Sequence, residues 1–165
     1  MEYKSVLLNS GFIKTEFDCG NLLLNSYIHK QASQDVKRHL AACFIIPDIQ
    51  NKVIGYYTLS NSSIRKDLIP DDLKSKFPPS YDSIPVTLLG RLARDKNCGI
   101  NRIGETLLLD ALKRCYFTSL TVGSVAVIVD PIDDNAISFY NKYGFISLED
   151  SGKMFLGMKT IAALF

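Results

Sequence analysis

The feature that most constrains this chain is a helical stripe set between two apolar strands. Apolar residues at 103, 107, 108, 111, 112 and 115 mark a helix over residues 103–117. Residues 86–95 precede it as a strand. Residues 125–129, VAVIV, follow as a short strand of the kind buried on both faces. A strand, a helix and a second strand in that order build a parallel crossover, which is right-handed in nearly every protein. The segment 86–129 therefore lies inside an α/β sheet.

The flanking sequence supplies the rest of that sheet. Strands are predicted at 3–8, 41–47, 52–61, 144–148 and 154–159, with a hairpin turn at 48–51. Helices are predicted at 21–39, where Leu24, Tyr27, Ile28 and Ala32 share a stripe, and at 134–143. Asp133 or Asp134 is available as N-cap of the latter, and Gly144 stands at C′. The one long connection, 65–84, holds three of the six prolines and has room for a short helix within 67–77. The order β-α-β-β-β-α-β-α-β-β gives a mixed α/β sheet of about six to seven strands flanked by helices. At 165 residues this is one domain, spanning 1–165.

Composition removes several classes of function. With 47% apolar residues the chain builds a real core without staples. None of Cys19, Cys43, Cys98 and Cys115 sits in a metal-ligand or CxxC spacing; Cys43 and Cys115 read as core residues, and all four as free thiols. His29 and His39 lie beside basic residues and read as surface positions. No HExxH or GxSxG motif occurs, and no metal is expected. No apolar run reaches 18 residues and the start of the chain has no secretory pattern, so no membrane span and a cytoplasmic location are expected. The 19 basic and 17 acidic residues leave a charge of only +2, without the bias of an obligate nucleic-acid binder but compatible with a local anion site.

Two segments carry chemistry. In 88–114, LLGRLARDKNCGINRIGETLLLDALKR, a strand runs through a polar loop containing Gly99 into a helix that starts near Arg102–Gly104. The free amides and positive dipole end of such a helix suit a phosphate or pyrophosphate. The loop is neither a Walker A sequence nor GxGxxG. Further on, NAISFYNKYGF at 135–145 places Phe139 and Tyr143 four residues apart, on one helix face, with Tyr140 beside Phe139. Core packing is the plain alternative for each of these aromatics.

Together these segments resemble the GNAT superfamily of acetyl-CoA-dependent N-acetyltransferases, and the likeness runs from about residue 12 to 161. FDCGNLLLNSYIHKQASQD (17–35), VIGYYTLS (53–60), IPVTLLGRLARD (84–95) and MFLGMKTI (154–161) look like the branch of bacterial toxin–antitoxin acetyltransferases that act on aminoacyl-tRNA. The resemblance implies acetyl-CoA as donor. It implies backbone contacts to the acetyl and pantetheine parts at Leu92, Ala93 and Arg94, with an amide near Leu92 polarising the thioester carbonyl. It places the pyrophosphate at Gly99, Ile100, Asn101, Arg102, Ile103, Gly104 and Glu105. Asn135 and Phe139 would border the thiol end, and Tyr140 would protonate the leaving thiolate, as a phenol of pKa about 10 can. The family's loop reads Q/R-x-x-G-x-G/A, and here only the last glycine, Gly104, is kept. Arg102 stands where a glycine normally lets the backbone approach the pyrophosphate; an outward side chain leaves that approach open, and its charge favours phosphate.

The acceptor is less constrained. No general base is identifiable, which suits an α-amine (pKa about 7.7–8.0) better than a lysine (about 10.4). Lys37, Arg38, Arg65, Lys66 and Arg91 are the candidate contacts to a nucleic-acid acceptor. Three functions fit: acetylation of aminoacyl-tRNA, acetylation of a small-molecule or protein amine, and non-catalytic acyl-CoA binding. A homodimer and a cognate antitoxin are expected from the branch alone.

Overall fold

The computed structural model describes residues 2–165. In chain order the elements are β1 (Val6–Leu7), α1 (Leu22–Ser26), a π-helical turn (Tyr27–Gln31), α2 (Ala32–Lys37), β2 (Ala42–Pro47), β3 (Val53–Arg65), a 3₁₀ turn (Lys66–Leu68), α3 (Asp71–Lys74), β4 (Ser83–Arg94), α4 (Ile103–Ser119), β5 (Ala126–Val129), α5 (Asp134–Lys142), β6 (Ile146–Ser147), β7 (Met154–Gly157) and α6 (Met158–Ala162). The strands form one seven-stranded sheet in the order β1-β2-β3-β4-β5-β7-β6. The chain packs as two compact units: the residues up to Ser60 with Leu89–Ala111, and Asn61–Leu88 with Leu112–Phe165. β3, β4 and α4 contribute residues to both.

In the first unit β1, β2 and the start of β3 form antiparallel ladders, with Val6 opposite Ile45 and Phe44 opposite Tyr57. The Asp48 carboxylate closes the β2–β3 turn by accepting the amides of Gln50 and Lys52 at 2.8 and 2.9 Å. One face carries a core of Leu8, Phe17, Tyr27, Ile28, Ala32, Cys43, Ile45, Val53, Tyr56 and Ala93. Burying each large member contributes roughly 1.5–3 kcal/mol. Gly55 on β3 lies under α4 with no room for a side chain: a Cβ there would meet Leu107 Cδ1 at 2.9 Å and Ile103 Cγ2 at 3.0 Å.

In the second unit β4 pairs with β5 in parallel, Thr87 opposite Val127 and Leu88 opposite Ile128. The crossover predicted for 86–129 is thus present. β5 pairs antiparallel with β7, and β7 with β6. Ile64, Ile69, Ile84, Val86, Ala126, Ile128, Leu148 and Phe155 make its core. Ile64 and Ile84 explain why β3 and β4 run past the ends predicted for them. Ile64 stands alone among polar residues and Ile84 lies two residues before Val86, and both are buried in this cluster, so the strands extend far enough to place them there. The remaining connection is closed by Lys66, whose ammonium donates to the carbonyls of Phe77 and Pro78 at 3.3 and 2.9 Å.

Four expectations need correction. The helix predicted over 21–39 is interrupted by the π turn and ends at Lys37, with His39 at φ 58°. Leu24, Ile28, Ala32 and Val36 follow one another in steps of four, which overshoots an α-helical turn by about 40° each time; the wider π turn takes up that drift. The strand predicted over 3–8 is reduced to Val6–Leu7. The last strand stops at Gly157, and Met158–Ala162 forms a helix instead. His29 is not a plain surface residue: its Nε2 lies 2.8 Å from the Phe17 carbonyl oxygen.

Candidate active site

The first unit holds the candidate donor loop. β4 alternates buried even-numbered residues, Ile84 and Val86, with exposed neighbours, then buries odd-numbered ones, Leu89 and Ala93. The β4–β5 ladder ends at Leu88, while β4 continues to Arg94, carrying Leu92, Ala93 and Arg94 beyond it.

The loop that follows is anchored by two carboxylates. Asp95, largely buried, accepts the amides of Asp18 and Asn97 at 3.0 and 2.6 Å. Asp18 in turn accepts Asn25 Nδ2 and the Gly20 amide, each at 2.9 Å, and pairs with Lys96 at 3.0 Å. The Asn25 hydrogen bond, then the Gly20 amide and Lys96, lower the Asp18 carboxyl from 3.8 to about 2 against the opposing effect of burial. Both residues stand inside family-like motifs, but the sequence gives neither of them a role. A local signal does exist for Asp18: an Asp two residues before a glycine favours an Asx turn, here closed by the Gly20 amide.

Gly99 and Arg102 both have left-handed backbones, with φ 66° and 65°. Arg102, which stands where the family's loop has a glycine, thus adopts a backbone conformation that glycine takes most readily. The Arg102 side chain is directed to Glu105, Nε to Oε2 at 2.5 Å. Helical bonding in α4 starts with the Thr106 amide donating to the Arg102 carbonyl at 3.0 Å. The amides of Ile103 and Gly104 precede that bond, in the first turn where an α-helix presents its leading backbone donors. This donor set fits a pyrophosphate.

Three candidate acceptor contacts also lie in the first unit. Lys37 and Arg38 are exposed at the end of α2. Arg91 is half-buried, its guanidinium carbon 3.6 Å from the centre of the Tyr27 ring. Tyr27 donates to Asp35 at 3.0 Å. Neither Tyr27 nor Asp35 was expected near a candidate site, because each also reads as ordinary helix sequence.

The second unit holds the tyrosine. Asp133 caps α5 by accepting the Ala136 amide at 2.7 Å, and Gly144, at φ 91°, ends it. On this helix Asn135 is exposed, Phe139 half-buried and Tyr140 buried. The Tyr140 ring packs edge-on against Phe139 and Phe145, with centroids 5.3 and 5.2 Å away. Burial raises its pKa well above the ordinary tyrosine value. Its hydroxyl makes no hydrogen bond, and no buried side-chain oxygen or nitrogen among the described residues lacks a partner. The ring is therefore sealed while the hydroxyl keeps a solvent-accessible edge: a neutral donor free to serve a ligand. The same unit holds Arg65, paired with Asp67 at 2.5 Å, and Lys66 on its two carbonyls. With Asp67, Lys74, Pro79, Tyr81 and Asp82 they line a cleft of about 410 Å³.

Cys43 and Cys115 are buried, their thiols pushed up to about 12 by desolvation, and all four cysteines are free. Among the described residues no group of three or more potential ligands could hold a metal, and no helix is long and apolar enough to cross a membrane.

This architecture recurs in solved structures. AtaT complexed with acetyl-methionyl-tRNAfMet superposes with a TM-score of 0.90 at 28% identity, over 99% of each chain. AtaTR bound with acetyl-CoA gives 0.85 at 29% identity, over 99% of this chain and 98% of that one. The molecule thus has the mixed α/β fold of the GNAT N-acetyltransferases. A tRNA-acetylating toxin of Mycobacterium tuberculosis is 32% identical over 151 residues, which cover 91% of this chain and 89% of that one. The chain belongs to that family of GNAT acetyltransferases, the tRNA-acetylating toxins. No family model matches it.

Proposed function

We propose that this enzyme moves the acetyl group of acetyl-CoA to the α-amine of an aminoacyl-tRNA, as one acetyltransferase domain spanning residues 1–165 and acting in the cytoplasm, where both substrates are made. The observation that carries this reading is likeness along almost the whole chain to relatives described as acetylating tRNA or bound to an acetylated aminoacyl-tRNA. Homodimerisation and inhibition by a cognate antitoxin follow from the same family membership.

In this reading the α4 amides at Ile103, Gly104 and Glu105, with the loop from Gly99, hold the pyrophosphate. The backbone of Leu92, Ala93 and Arg94 lies along the pantetheine, and the amide near Leu92 stabilises the oxyanion that develops when the amine attacks. Asn135 and Phe139 border the thiol. The C–S bond breaks as Tyr140 donates its proton to the departing sulfur; the attacking nitrogen releases its proton to water, and solvent restores the phenol. Burial keeps Tyr140 protonated throughout the neutral range. Lys37, Arg38, Arg65, Lys66 and Arg91 face the nucleic acid. An aminoacyl α-amine is neutral enough near pH 7 to attack without a dedicated base.

The test is acetyl transfer from labelled acetyl-CoA to a panel of aminoacyl-tRNAs, free amino acids, polyamines and proteins. Labelled N-acetyl-aminoacyl-tRNA as the preferred product is expected. Efficient transfer to a small or protein amine with none to any aminoacyl-tRNA overturns the acceptor and leaves the donor chemistry standing.

A further inference from the structure

We infer that Tyr27 and Asp35 are positioning residues for the acceptor: they hold Arg91 flat, so that the edge of its guanidinium meets the phosphate of the acceptor's 3′-terminal nucleotide. This rests on the acceptor reading proposed above. Arg91 immediately precedes Leu92 on β4, and one strand residue advances the chain by only about 3.3 Å. An aminoacyl amine attacking a thioester at Leu92 is tied through its ester to the terminal ribose, whose own phosphate is the nearest one to Arg91. Arginine offers two recognition surfaces, a flat face that stacks and an edge of N–H donors that binds phosphate. Here the face is taken, the guanidinium carbon lying 3.6 Å from the centre of the Tyr27 ring. Among the described residues no hydrogen bond or ion pair occupies the edge. The ring itself is fixed. Tyr27 is buried, lies near-parallel to Tyr56 with centroids 6.2 Å apart, and donates its phenol proton to Asp35 at 3.0 Å. Burial, and then that bond, raise the phenol's pKa, so it remains a donor. A phenol that donates to a carboxylate has a more electron-rich ring, which strengthens its attraction for a cation. Asp35 thus acts on Arg91 through the ring; a carboxylate set directly against the guanidinium would occupy the edge instead.

Two small acceptors that differ by one group test this: adenosine aminoacylated on its ribose, and the same compound carrying a 5′-phosphate. The parent should acetylate the phosphorylated one with a kcat/KM about tenfold higher, the size of one charge-assisted contact, and the difference should lie in KM. Arg91→Ala should bring that ratio close to one. Arg91→Lys, a point charge without the flat face or the fork, should keep about a third of it. Tyr27→Leu should lower the ratio by about three- to fivefold by releasing the guanidinium, whereas Tyr27→Phe, which keeps the ring face, should retain most of it. Tyr27→Leu added to Arg91→Ala should lower the ratio no further than Arg91→Ala alone. A ring that served packing only would weaken transfer to both acceptors alike and leave the ratio intact. Circular dichroism shows which variants are folded. Should Tyr27→Leu not fold, Asp35→Asn replaces it: it weakens the ring's hold without opening the core and should lower the ratio by about twofold. A parent ratio near one, a ratio that survives Arg91→Ala, or one untouched by Tyr27→Leu and Asp35→Asn would each overturn the inference. Transfer to aminoacyl-tRNA but to neither small acceptor would place recognition elsewhere on the tRNA and overturn it too. Transfer to none of the three would overturn the acceptor reading itself.

Discussion

The two units hold their candidate groups by opposite means. In the first, the loop from Asp95 to Glu105 is fixed by charge: two carboxylates collect backbone amides, an asparagine and a lysine, and an arginine is paired at a strained turn. In the second, Tyr140 is fixed by rings: Phe139 and Phe145 hold it edge-on and leave its hydroxyl unbonded. Polar anchoring leaves a loop tunable by salt, pH and single charges, because each bond exchanges with water. Aromatic packing fixes position and burial but leaves the donor unassigned. The difference suits the two jobs. A loop that binds and releases a polyanion needs adjustable charge, whereas a proton donor needs a fixed place and a protonation state that does not drift.

The largest effect should come from the aromatic side. Tyr140→Phe keeps the ring and removes only the hydroxyl, so turnover should fall by roughly 10²–10⁴-fold while acetyl-CoA affinity stays nearly unchanged. Single-turnover kinetics beside a binding titration separates the two. A Phe variant as fast as the parent under chemistry-limited conditions shows that water or another group protonates the thiolate. On the polar side the expectation is reversed. Gly104→Glu places a second carboxylate among the first amides of α4 and should weaken acetyl-CoA binding by about tenfold or more, with little effect on the chemical step at saturation. An unchanged Kd would remove the pyrophosphate from this helix start.

How much of this the sequence carries follows the same division. The crossover was legible because six apolar residues at helical spacing between two apolar strands admit few other folds. The α5 caps were legible because Asp133 and Gly144 are chemically specific signals. Tyr140 came from the family motif; its aromatic spacing alone left core packing open. The polar network was not legible. Asp18 and Asp95 are 77 residues apart, and neither shows in sequence that its hydrogen bonds reach across that span. The π turn was not legible either, because Leu24, Tyr27, Ile28 and Ala32 show the ordinary three-and-four spacing of an α-helix. The departure at 102, an arginine where the family's loop has a glycine, was legible against that pattern. Its left-handed backbone and its contact with Glu105 were not.

A smaller effect should separate acceptor binding from donor binding. Reversing the charge of both Lys37 and Arg38, exposed at the end of α2, should lower the preference for aminoacyl-tRNA over a free amino ester by several-fold at low salt. The deficit should shrink as salt rises, since about two phosphate contacts would be lost. Acetyl-CoA affinity should not move. Equal loss with tRNA and amino ester would mean that the substitutions disturb the fold rather than an RNA contact.

The smallest effect is on stability, and it tests the polar anchoring directly. The Asp18 carboxyl is lowered to about 2 in the folded protein, from an ordinary value of 3.8, by Asn25, the Gly20 amide and Lys96. A depressed carboxyl stabilises the fold at pH values above its unfolded pKa, and that contribution fades as pH falls through the folded value. Asp18→Asn removes the charge at every pH. Its melting temperature should therefore lie below the parent's at pH 6, and the gap should close between about pH 4 and pH 2. Tyr140 supplies the contrast. Its pKa is raised by burial, so its contribution is complete below the ordinary tyrosine pKa of 10 and is lost only as pH rises above it. Melting curves of parent, Asp18→Asn and Tyr140→Phe from pH 2 to pH 11 should thus separate at opposite ends: the Asp18 gap closes on the acid limb, and the Tyr140 variant changes shape only on the alkaline limb. A constant Asp18→Asn gap down to pH 2 would show that the bonds to Asn25, Gly20 and Lys96 do not distinguish the charged carboxylate from its neutral form, and the loop would then owe its position to packing.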